Sequence, residues 1–149
     1  MEALITLQPE LHHKENNGYR ALCACPEGEL HEIGLRSIAF SLRGEGWDVN
    51  YLGANTPLEG IQSLIGESKP DLVCLSITHQ SNLKSLKEIR DIGRRIQSYG
   101  GRFLVGGYSS NTYSEKELNC DHIAHSAGDT VEFARSAFSL KPGPKKQKH

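Results

Sequence analysis

Apolar positions follow two alternating rhythms between Arg20 and Ser139. Short, nearly continuous apolar runs read as buried strands, and they alternate with stretches whose apolar residues recur at i, i+3, i+4 and i+7, the mark of an amphipathic helix. Arg20 to Cys25 predicts a first strand, and Glu32 to Arg43 a helix with Leu35, Ile38, Ala39 and Leu42 on its apolar face. Asp48 to Leu52 predicts the second strand, after Gly44-Glu45-Gly46. Pro57 suits the first turn of the next helix, where its missing N–H costs nothing, and Leu58, Ile61, Leu64 and Ile65 share one face. Asp71 to Ile77 predicts a third strand, and residues 81–99 a longer helix halted by Gly100-Gly101. Arg102 to Val105 follows as the fourth strand and His122 to Ala124 as a short fifth. The last helix is expected over Thr130 to Ser139, opened by Asp129 and Glu132 at capping-box spacing.

Five short apolar strands separated by helices imply a five-stranded parallel sheet with helices on both faces, the flavodoxin-like (Rossmann-like) α/β class. Ligands of such sheets bind at the carboxyl ends of the strands, which singles out residues 25–34, 53–56, 76–82, 106–111 and 125–129. Residues 1–19 lack sustained periodicity and end in a polar, turn-forming cluster, so they read as a leader ahead of a domain spanning 20–140. Lys141 to His149 joins two prolines to a basic run, which predicts a disordered tail.

A chain of 149 residues fits one domain able to bury a core without staples. The net charge of −1, with both signs scattered, offers no electrostatic footprint for nucleic acid. No apolar run approaches the ~18 residues of a membrane span. The N-terminus also lacks a signal-peptide pattern, so a cytoplasmic protein is expected, with no membrane association. Cys23, Cys25 and Cys74 fall inside predicted strands and, like Cys120, are expected to be reduced. Cys23 and Cys25 point to one face of their strand and read as small apolar fillers, since a structural zinc would lack most of its ligands. Trp47 reads as a core residue. His122 and His125 would point to opposite faces of a strand, which argues against a separate zinc site there. His79 reads as a solvated loop residue close to the strand ends.

The loop after the third strand, Ser76-Ile77-Thr78, lacks the acceptor aspartate of a phosphorylated receiver. The loop after the first strand, Pro26-Glu27-Gly28-Glu29-Leu30-His31-Glu32, would repel the phosphate of a flavin, and no Gly-x-Gly-x-x-Gly fingerprint is present. That loop does place His31 two residues after Glu29 and three before Gly34. A metal-binding histidine normally donates its other ring nitrogen to a carboxylate, a role open to Glu29. The same hexapeptide reads equally as a surface histidine at a helix start. The hydroxyls of Ser76 and Thr78 can bond a ring nitrogen, and Gly106-Gly107 lets a ligand approach the backbone, though each segment also reads as an ordinary strand end or turn. No arrangement of nucleophile, base and orienting group is visible, so a stand-alone enzyme is not expected.

Taken together, Glu29-x-His31-x-x-Gly34, Ser76-x-Thr78 and Gly106-Gly107 resemble the cobalamin-binding domains of corrinoid proteins, whose pattern is Asp-x-His-x-x-Gly, then Ser-x-Leu or Ser-x-Thr, then Gly-Gly. The resemblance covers Tyr19 to Ser139. It implies that His31 is the lower axial ligand of cobalt, Glu29 its hydrogen-bonded partner and Gly34 a point of close approach on the helix. It further implies that Ser76 contacts the dimethylbenzimidazole of the nucleotide tail, with Thr78 in the same pocket, and that Gly106 and Gly107 make room for that tail. Adenosylcobalamin, methylcobalamin and hydroxocobalamin are all compatible forms.

Glu29 departs from the aspartate that corrinoid enzymes generally carry. With Tyr51-Leu52-Gly53-Ala54-Asn55-Thr56-Pro57, it resembles the branch of light-sensing MerR-type transcriptional regulators, which implies sensing instead of catalysis. The nineteen leading residues are too few for the DNA-reading helix-turn-helix or the helical cap of that branch, so no direct DNA binding by this chain is expected. A protein partner or a second copy of the chain is expected instead. Three alternatives stay open: a corrinoid methyl-carrier subunit of a methyltransferase system, a haem-binding sensor using His31 for iron, and an interaction domain without a ligand.

Overall fold

The computed structural model describes residues 15–26, 32–77, 86–107 and 113–140. Strand β1 (Arg20–Pro26) is buried at every position after Arg20, as a central strand must be when helices cover both its faces. It pairs in parallel with β2 (Asp48–Thr56) on one side and β3 (Leu72–Ser76) on the other, and β4 (Arg102–Gly106) and β5 (His122–Ala124) complete the sheet. The order β2-β1-β3-β4-β5 is flavodoxin-like: the chain starts centrally, steps to one edge, then reverses across to the other.

Side chains alternate between the two faces of each strand, and each face gathers its own core. Ala21, Cys23, Cys25, Cys74 and Leu104 meet Leu35, Ala39 and Leu42 of helix α1 (Ile33–Gly44) and Ala134 of α5 (Ala127–Ala137). Leu22, Val73, Leu75, Phe103 and Val105 meet α2 (Leu58–Ser68), α3 (Leu86–Ser98) and the short α4 (Glu115–Leu118). Trp47 is buried against the rings of Tyr19 and Phe138. All four cysteines are free and buried. Cys23 and Cys74 are register partners, and their contact together with complete burial pushes the Cys74 thiol well up, which keeps it protonated and inert.

One bidentate ion pair ties the ends of α1 and α5 together at the pole opposite the carboxyl ends. Arg135 pairs with Glu45, the C-cap just past the end of α1, with Nη2 to Oε2 at 3.0 Å. Residues 15–19 run along the same pole, where Asn17 N–H donates to Gly46 O at 2.9 Å and Tyr19 O accepts from Asp48 N–H at 3.0 Å.

Several boundaries differ from the periodicity. Strand β2 continues past Leu52 to Thr56, because register shifts let its far end stay beside β1. Strand β3 closes at Ser76 instead of Ile77, and Pro57 caps α2 from outside instead of occupying its first turn. Helix α5 starts at Ala127 instead of Thr130, since Ser126 caps it by accepting the Asp129 N–H at 3.0 Å; Asp129 is therefore inside the first turn and does not cap with Glu132. The four-residue α4 is an addition, held by a Ser114–Glu117 capping box and too short to show a period. Residues 1–14 of the predicted leader, 81–85 of the predicted helix and the tail 141–149 lie outside the described residues. Among those described, no helix is long and apolar enough to cross a membrane.

Candidate functional site

Ser76, Gly106 and Ala124 are register partners across β3, β4 and β5 and form one row at the carboxyl edge of the sheet. The row continues the face of Cys74, Leu104 and His122, which α1 and α5 cover further down. At its last step the side chains are small and the two helices begin on either side. The result is a cleft of ≈ 890 Å³, walled by Glu32, Gly34 and Arg36 of the α1 start and by His125, Ser126 and Ala127 of the β5–α5 corner. That volume suits a bound cofactor or a substantial part of one.

The depth of the cleft comes from missing side chains, and the reasons for their absence differ. A Cβ on Gly34 would meet nothing within 4 Å, and one on Gly106 would make only ordinary contact with Ala124, 3.5 Å from its carbonyl. Packing demands glycine at neither position, so the open space is available to a ligand. Gly107 is required by the backbone itself: its φ is +101°, and a Cβ would stand 2.5 Å from Ile77 O, where Ile77 N–H donates to Gly106 O at 2.8 Å. Ser76, only 6% exposed, brings a hydroxyl that both donates and accepts.

The walls carry two polar clusters. Glu32 ion-pairs with Arg36 one turn on, and both line the cleft. Burial pushes the Glu32 carboxyl up, but the hydrogen-bonded Arg36 guanidinium and its charge help outweigh it, and the group lies below its ordinary value. On the other wall, Asp129 Oδ2 accepts from His125 N–H at 3.0 Å and sits 2.9 Å from His122 Nε2. Burial raises the Asp129 carboxyl, the His125 amide and the His122 ring lower it, and the net direction is down. The His122 ring also stacks on Phe133 at 4.8 Å, whereas His125 lines the cleft.

Of the residues singled out by motif, Gly34, Ser76, Gly106 and Gly107 converge on this one cleft from a helix and two strand ends. Glu29, His31 and Thr78, with His79, lie outside the described residues. Glu32, His125, Ser126 and Ala127 line the cleft from within the strand-end ranges 25–34 and 125–129 but had been given no ligand-binding role, and Arg36 and Ala124 line it from outside those ranges. The i, i+4 spacing of Glu32 and Arg36 was a readable sign of their pairing.

The open cradle and the donor set fit a corrinoid with its nucleotide tail, and comparison with known proteins points the same way. The model of the B12 binding domain matches residues 19–134. The HTH-type transcriptional repressor CarA of Myxococcus xanthus is 46% identical over 59 residues, covering 40% of this chain and 20% of the repressor. A methanol–corrinoid protein of Methanosarcina barkeri is 27% identical over 140 residues, covering 80% of this chain and 54% of that protein. The chain thus spans about a fifth and about half of the length of these two relatives. Among solved structures, a cobalamin-binding protein from Desulfitobacterium hafniense superposes with a TM-score of 0.69 at 21% identity, covering 91% of this chain and 70% of that one. The monomethylamine corrinoid protein of Methanosarcina barkeri gives 0.70 at 20%, covering 90% and 65%. These similarities lend the haem alternative no support. With its motif residues gathered at the carboxyl edge of a flavodoxin-like sheet and the family model matched over most of its length, this chain belongs to the B12-binding domain family.

Proposed function

We propose that the chain is a cobalamin-binding regulatory module that reports the arrival or alteration of its corrinoid through protein contacts. The observation that carries this reading is the cleft, whose depth comes from side chains that the fold had no need to omit at Gly34 and Gly106. In this reading the nucleotide tail enters there, and the Ser76 hydroxyl bonds its base, with Thr78 assigned to the same pocket. His31, just ahead of α1 in the sequence, would be the lower cobalt ligand, and Glu29 would accept a hydrogen bond from its other ring N–H, fixing the tautomer. Bound cobalamin would supply a cobalt able to carry an adenosyl, methyl or hydroxo group. The regulatory assignment draws support from the similarity to a repressor and from Glu29 in place of the usual aspartate. A second reading, a methyl-carrying subunit serving a methyltransferase, is favoured by the longer matches to methanogen corrinoid proteins.

Absorption spectra test the cofactor assignment: wild type and His31→Ala are mixed with hydroxocobalamin or adenosylcobalamin and desalted. Wild type is expected to retain a corrinoid with an altered spectrum, and the variant to lose the alteration. Retention by neither protein would overturn the assignment. Methyl transfer from a supplied donor, in the presence of a methyltransferase partner, would favour the carrier over the sensor.

A further inference from the structure

We infer that His122 is a positioning residue for the cleft: its ring, set between Asp129 and Phe133, holds the β5–α5 corner in the form that walls the site. This inference rests on the reading of the cleft as the corrinoid site.

His122 does not itself line the cleft. It opens β5 beside Leu104, two residues before Ala124 in the row at the carboxyl edge. The wall above it is His125, Ser126 and Ala127, and both polar residues of that wall are tied to Asp129. Asp129 Oδ2 accepts the His125 N–H at 3.0 Å, and the Asp129 N–H donates to Ser126 Oγ at 3.0 Å. The same Oδ2 lies 2.9 Å from His122 Nε2. The Asp129 carboxyl lies below its ordinary value, so at neutral pH it is ionised and can only accept. Nε2 must therefore carry the proton, and the ring is fixed as a donor. Phe133 is four residues beyond Asp129 on α5, so the two present a ring face and an acceptor to one histidine. The Phe133 and His122 rings stack at 4.8 Å with 7° between their planes, which keeps Nε2 aimed at the carboxylate. The buried residues of α5 begin only at Thr130, so the turn that walls the cleft depends on these polar bonds more than on core packing. His122 thus reaches the site through Asp129, which holds the His125 amide and the Ser126 cap together.

The test compares hydroxocobalamin binding by wild type, His122→Phe and His122→Gln. Affinity is read by equilibrium titration, well below the circular-dichroism melt of each protein. Phenylalanine keeps a ring to stack on Phe133 but donates nothing to Asp129. Glutamine loses the ring but brings a side-chain N–H to a similar reach. His122→Phe is expected to bind roughly tenfold more weakly, the scale of one hydrogen bond to a charged group. His122→Gln is expected to stay close to wild type. A role in packing alone would give the opposite order, because only phenylalanine preserves the stack. If wild type binds and His122→Gln binds no better than His122→Phe, the hydrogen bond positions nothing and the corrinoid assignment stands. If wild type retains no corrinoid, both fall. Should His122→Phe fail to fold, Asp129→Ala replaces it: that variant removes the shared acceptor, keeps the main-chain amide for Ser126, and should bind at least as weakly as expected for His122→Phe.

Discussion

Gly34 and Gly107 both line the cleft, but only one of them is required by the backbone. Gly107→Ala would force a Cβ to within 2.5 Å of Ile77 O at a φ of +101°, so a loss of about 1–3 kcal/mol is expected as a lower urea midpoint. Gly34→Ala should do the opposite. It meets no neighbour, sits in the first turn of α1 and replaces a poor helix former, so stability should stay level or rise by up to about 1 kcal/mol. That Gly34, Ser76, Gly106 and Gly107 meet at one cleft was legible in the sequence because strand ends are where this class of fold places its ligands. Glu32 was not. Its carboxylate lies beside Gly53, at a register shift in another strand, and no spacing along the chain encodes that meeting.

At the scale of elements, α5 shows how local chemistry overrides periodicity. The apolar pattern starts at Thr130, but Ser126 supplies a hydroxyl for the Asp129 amide, and Asp129 in turn takes the His125 amide. These bonds carry the helix back through Ala127 and Gly128 to form one wall of the cleft. Ser126→Ala is expected to cost about 1 kcal/mol in thermal or chemical denaturation. Asp129 adds a pH dependence whose sign follows from its lowered carboxyl. The folded state holds fewer protons there than the unfolded chain, so the stabilisation is present above the ordinary value of 3.8 and is lost as pH falls below it. Asp129→Asn should flatten the acid limb of a stability-against-pH curve while lowering stability at pH 7. An unchanged acid limb would show that the His122–Asp129–His125 arrangement contributes nothing to it. Helix α4 lay beyond the reach of periodicity, although its Ser114–Glu117 capping box is written in the sequence.

For the whole molecule, the strict alternation of buried strands and amphipathic helices made the parallel sheet and its covering by helices on both faces readable from residue patterns. The irregular end of β2 was not readable, because Gly53 and Asn55 look like the start of a turn and in fact prolong an edge strand. The α1 start, the ends of β3 and β4 and the β5–α5 corner together surround a cleft that four motif residues line. The chain spans only part of the length of these relatives, and holding the corrinoid is the role proposed for this domain, with sensing and methyl carrying as the two readings of what that role serves.

The most direct test of that central claim is an equilibrium titration of hydroxocobalamin into wild type and Gly34→Leu. The substitution adds a side chain in open space on the cleft wall and leaves the packed core untouched. The variant should fold and melt like wild type yet bind at least tenfold more weakly, a difference of about 1.4 kcal/mol. Equal affinity in a folded Gly34→Leu protein would mean that the corrinoid does not enter the cleft between α1 and α5.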